Sequence, residues 1–155
     1  MKIRSVVFNN RRRDFTVRLG ASTYRYPFSR LEAPPAPGDH VVAAFVDPEI
    51  GREGFSYTFA SGAEGTVHGE QVLDYNRDPR YLRDVLLYEL TLAAQARIGA
   101  CPLSRREIAR RMNTSAAQVC RLLDQTNTRK SVDEVLRLLG VLECEVDVSV
   151  RAKSA

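Results

Sequence analysis

Residues 103–123, LSRREIARRMNTSAAQVCRLL, constrain the fold of this chain more than any other stretch. They spell two short helices joined by a tight turn. Ser104 is placed to cap the first helix, and Glu107, three residues on, completes a capping-box pattern. Ile108, Ala109 and Met112 give that helix one apolar face. Asn113 falls at the turn, and Asn enters the left-handed region more readily than most residues. Ser115 and Gln118 repeat the capping pattern, and Val119, Leu122 and Leu123 supply the buried side of the second helix. The small Ala109 lets the two helices approach closely. Ala116, Ala117, Gln118 and Arg121 are left facing outward.

This layout is that of a helix-turn-helix, which presents its second helix to a DNA major groove. The segment resembles the lambda-repressor/Cro-like (XRE-type) family. The resemblance is carried by Glu107-Ile108-Ala109, Ser115, Val119 and Arg121-Leu122, and it extends through Lys130-Ser131-Val132-Asp133-Glu134-Val135-Leu136. With the helix before the motif it covers roughly the last half of the chain. Asn113 stands where the family usually has Gly, and a strand-like tail follows where the family commonly has another helix. The resemblance implies a sequence-specific transcriptional regulator, a repressor, that reads double-stranded DNA with the helix around 115–123. It implies equally an antitoxin-like protein that binds a toxin through its N-terminal region and autoregulates its operon.

Charge distribution points the same way. The chain's net charge is +4. Between Arg97 and Lys130 there are eight basic residues and two acidic ones, a local balance of +6. The remainder is slightly acidic, so the positive field is concentrated on the motif, as phosphate binding requires. No run of about 18 apolar residues occurs, so no membrane span is expected. MKIRSVVFNN lacks the apolar stretch of a signal peptide. Cys101, Cys120 and Cys144 are odd in number and widely spaced, which argues against a disulfide framework and for a reducing cytoplasm.

The expected fold class is α+β, with β-rich residues 1–76, a helical region 77–141, and a C-terminal strand and tail over 142–155. Ile3–Phe8 and Phe15–Leu19 read as a hairpin around a polar loop, Ser22–Tyr26 continues the meander, and residues 33–38 form a breaker-rich connector. Val41–Val46 reads as a buried strand, Phe55, Tyr57 and Phe59 alternate, and Thr66-Val67 begins a partner strand. Asp78 and Pro79 open a helix running to Ile98, with Leu82, Val85, Leu86, Leu90 and Ala93 on its core face, widened by Tyr81, Tyr88 and Leu92. Ser131 and Glu134 open another helix, through Leu139, that ends at Gly140. From Leu142 to Val150 apolar and polar residues alternate as in an amphipathic strand, which must pair either with the N-terminal sheet or with a second subunit.

The base-reading candidates are Gln118, suited to adenine, and Arg121, suited to guanine, with Ala116 and Ala117 small enough for close approach. Ser104, Arg105 and Ser115 lie at helix starts, where phosphates are commonly met. Thr126, Asn127, Arg129 and Lys130 form a loop able to grip the DNA backbone; Thr128 lies among them. Arg106 and Arg110 read as plain surface charges, and Arg11, Arg12 and Arg13 as a solvated hairpin tip. Catalysis is not expected. His40 and His68 lack metal-ligand spacing with any cysteine, no CxxC occurs, and Asp47, Glu49 and Glu53 fit a polar turn. No metal or cofactor is called for. A third class, an enzyme or small-molecule sensor in the N-terminal half, would require an enclosed polar pocket. One motif per chain makes a homodimer on an inverted repeat the economical arrangement.

Overall fold

The computed structural model describes residues 1–152 and is α+β. The chain divides into two compact units, Met1–Leu82 and a second beginning at Arg83. In the first, β1 (Ile3–Asn9), β2 (Asp14–Leu19) and β3 (Ser22–Pro27) form one antiparallel sheet in that order. The second sheet is β4 (Val41–Val46), β5 (Gly54–Phe59) and β6 (Glu64–His68), also a simple meander. The alternation read in the sequence is what builds the core. Phe15, Val17 and Leu19 point inward from the central strand of one sheet, and Phe55, Tyr57 and Phe59 from that of the other. Phe15 lies at the centre, with ring centroids 4.8 Å from both Phe28 and Phe55, close enough for tilted aromatic contacts to add to simple burial.

The β1–β2 turn is held by Asn9, whose Oδ1 accepts from the amides of Arg11 and Arg12 at 3.0 and 2.9 Å. Arg12 and Arg13 are not merely solvated. Arg12 Nε pairs with Asp14 at 3.3 Å. Arg13 lies over the Phe28 ring and donates to the Asp39 carbonyl. A short helix not expected from the sequence, α1 (Gly69–Tyr75), buries Val72 and Leu73 against this core.

The long helix α2 (Pro79–Ile98) begins as expected. Asp78 Oδ1 accepts from the amides of Arg80 and Tyr81 at 3.1 and 3.0 Å, while Oδ2 accepts the Tyr24 hydroxyl at 2.7 Å. That hydroxyl, together with the Tyr81 amide, keeps the Asp78 carboxyl below its usual range. The core face of α2 differs from the expected one. Leu87, Thr91 and Ala94 are buried, whereas Leu86 is 45% exposed and Ala93 is also at the surface. Two apolar stripes overlap on this helix. Thr91 belongs to the buried one because its hydroxyl donates to the Leu87 carbonyl at 2.6 Å and so enters the core satisfied.

Three further helices complete the second unit: α3 (Arg105–Arg111), α4 (Ala116–Leu122) and α5 (Val132–Val141). Ile108, Ala109, Met112, Val119, Leu122 and Leu123 are all buried, as their spacing predicts. Asn113 adopts φ 55°, and Thr114 closes the turn by donating to Ala109 at 2.9 Å. The end of α5 differs from expectation. Gly140 lies inside the helix; the left-handed residue is Glu143, at φ 60°, and Cys144 N donates back to Leu139 at 2.9 Å. Leu142 is therefore a capping core residue, 1% exposed, and does not start a strand. Residues 144–152 carry no regular secondary structure, and Val148 and Val150 are 85% and 90% exposed. Alternation can favour an extended chain, but only a neighbouring edge makes it a strand, and among the described residues none pairs with this segment. Residues 153–155 of the expected tail lie outside the described residues.

Candidate nucleic-acid interface

Ser104, Ser115 and Ser131 each cap a helix, accepting the amides of Glu107, Gln118 and Glu134 at 3.1, 3.1 and 3.2 Å. The reciprocal half of each expected capping box is missing, because the third-position side chains have better partners. The Glu107 carboxylate takes Arg110 at 2.6 Å and Arg111 at 3.2 Å. Those two guanidinium groups, Arg110 first, bring its pKa down to about 2. Gln118 instead bridges helices: its Nε2 donates to Glu134 Oε2 at 2.9 Å, and its Oε1 accepts from Arg121 at 2.8 Å. Glu134 in turn accepts from Ser131 Oγ at 3.0 Å. This chain of bonds fixes which end of the Gln118 amide faces Arg121; Glu134, expected from the sequence as part of a helix cap, serves here as the anchor of Gln118. Arg121 spends one of its N–H donors on Gln118 and keeps the others for an external partner.

Ala116, Ala117 and Arg121 are exposed and Gln118 is half-buried, above the buried Val119 and Leu122. Arg105 joins this surface from α3, donating to Cys120 Sγ at 3.3 Å. The loop after α4 is less uniform than expected. Thr126 turns its hydroxyl to Asp124 Oδ1 at 2.7 Å, which holds that carboxyl below its usual range. Asn127 donates to the Arg121 carbonyl at 3.3 Å and accepts from the Arg129 amide at 3.0 Å. Arg129 is exposed, and its guanidinium makes no hydrogen bond or ion pair among the described residues.

Lys130 does not belong to the surface. It is 6% exposed, and its Nζ donates to the carbonyls of Leu122 and Asp124 at 2.9 and 2.8 Å. A cation at the C-terminus of α4 meets orphan carbonyls and the negative end of the helix dipole, so the ammonium is drawn inward. Burial pushes its pKa below the ordinary lysine value, against the pull of Asp124. The same device recurs. Gln95 donates to the Leu123 carbonyl at 2.7 Å, Arg137 to that of Met112 at 2.7 Å, and Arg97 to that of Leu142 at 3.1 Å. Arg97 and Lys130 thus cap helix ends and Arg110 and Arg111 pair with Glu107, leaving Arg105, Arg106, Arg121 and Arg129 as the outward cations of the segment.

Among the described residues, no group of three His, Cys, Asp or Glu residues is arranged to hold a metal ion and no helix is long and apolar enough to cross a membrane. No protein-family model, curated protein or solved structure matches this chain.

Proposed function

We propose that the second unit binds double-stranded DNA sequence-specifically and that the protein is a transcriptional regulator acting as a repressor. The observation that carries this reading is the outer face of α4. Two alanines, a pre-oriented glutamine and an arginine with spare donors stand on a helix whose other side is locked into a core, with Arg105 alongside. A helix so built can approach base edges closely while arginines meet phosphates. One such helix reads only a few base pairs, so a homodimer on an inverted repeat supplies the remaining selectivity. Selection of genomic DNA fragments with the purified protein should return a common two-fold site. Replacing Gln118 and Arg121 with Ala should then cost about 1–3 kcal/mol for each base no longer read and flatten the preference between sites. Unchanged affinity and selectivity in that double variant would remove α4 as the reading helix.

A second reading, an antitoxin-like regulator, is favoured by one observation in the first unit. Val7 on β1 and Val42 and Phe45 on β4, a strand in contact with β1, are all more than half exposed, and exposed large apolar side chains are what a protein contact would cover. Co-purification with the product of a neighbouring gene, abolished by Phe45→Asp, would support it.

A further inference from the structure

The segment from Cys144 to Ala152 leaves the buried cap of α5 with three exposed valines at alternate positions, and among the described residues no strand pairs with it. Val146 is 42% exposed, less than the 85% and 90% of the two that follow. Alternation over nine residues is costly to leave in water and is an open template for pairing. We propose that this segment pairs with the same segment of a second copy, as an antiparallel ribbon centred on Val148.

The choice of occupant and register comes from the segment's own complementarity. In an antiparallel self-pair, residues equidistant from the centre face each other with side chains on the same side. Centring on Val148 sets Val148 against Val148, Val146 against Val150, and Cys144 against Ala152, so every valine meets a valine on one face. On the other face Glu145 meets Arg151 twice, once at each end, and Asp147 meets Ser149. Other registers match valine to valine less completely. Centring on Asp147 apposes two like charges at the axis, and centring on Val146 sets Glu145 against Asp147 twice. Centring on Ser149 pairs Asp147 with Arg151 but leaves Val146 against Ala152. Glu143, held at φ 60° in the helix cap, marks where the extended segment can begin. The ribbon would supply the two-fold that the DNA-binding reading calls for; it rests on that reading for its purpose alone, and its existence is tested without DNA.

Light scattering on the full chain at rising concentration should approach twice 17.4 kDa. A chain ending at Cys144, and the exposed-site variant Val148→Asp, should both stay at the monomer mass with the helical circular dichroism retained. Register is read by cysteine cross-linking in a chain whose three native cysteines are replaced by Ser. Opposed residues in such a pair fall within disulfide reach, so Val148→Cys should form roughly tenfold more covalent dimer than Val146→Cys or Val150→Cys alone. Mixing the latter two proteins should restore cross-linking. A full chain that remains monomeric up to its solubility limit would overturn the proposal. So would a dimer untouched by Val148→Asp, or stronger cross-linking at Ser149→Cys. Loss of operator selectivity in the Gln118 and Arg121 variants with the ribbon intact, or the reverse, separates the two readings.

Discussion

Lys130→Met separates a structural cation from a DNA-contacting one. Methionine nearly matches the length of the lysine stem and removes only the ammonium, which donates to Leu122 and Asp124 at 2.9 and 2.8 Å. Each bond to a charged donor contributes about 1.5–3 kcal/mol. Relief of the desolvation of a buried charge offsets part of that sum. The net loss expected is about 2 kcal/mol, because the Leu122 carbonyl loses its side-chain donor and the Asp124 carbonyl keeps only the Asn127 amide. For a unit of this size that corresponds to a fall in Tm of roughly 8–16 °C. The assay is thermal unfolding followed by circular dichroism, alongside the salt dependence of DNA binding measured well below the new Tm. The slope of log K against log salt should not change. Arg129→Ala should do the opposite, lowering that slope by about 0.9 with stability changed by less than about 0.5 kcal/mol. A Lys130→Met protein with wild-type Tm and a slope reduced by about 0.9 would show that Lys130 reaches phosphate and that the inward geometry is wrong.

Three other outcomes are expected. Glu107 has a folded pKa lowered from 4.5 to about 2, so the stability it contributes is present above pH 4.5 and is lost as pH falls from 4.5 through 2; Glu107→Gln should flatten that part of an acid-unfolding profile, and an unchanged profile would discount the Arg110 and Arg111 pairing. At Asn113, φ 55° makes Gly the least strained residue, so Asn113→Gly should stabilise by up to about 1 kcal/mol and Asn113→Val should destabilise by about 1–2 kcal/mol in urea unfolding. Ending the chain after Gly140 removes the buried Leu142 and should cost about 2–5 kcal/mol, whereas ending it after Cys144 should leave the Tm of dilute, monomeric protein unchanged; equal effects would mean that Leu142 is not part of the core.

Local chemistry explains why so much of this molecule was legible in its sequence. The strands around Phe15 and Phe55, the caps at Ser104, Ser115 and Ser131, the turn at Asn113 and the buried side of α3 and α4 all follow from period, capping and backbone preference within a few residues. Each is a short-range property, so neighbours in sequence suffice to specify it. The fates decided by residues distant in sequence were not legible. Which of two apolar stripes on α2 enters the core depended on the residues of α3, α4 and α5 that gather around Leu87 and Ala94. The Gln118 side chain left its expected capping role for Glu134, sixteen residues away. Lys130 became a buried cap because the chain returns it beneath the end of α4, where exposed carbonyls outcompete water for the ammonium. The alternation after Cys144 gives a segment the capacity to be a strand, but pairing needs an edge, and among the described residues the tertiary structure provides none.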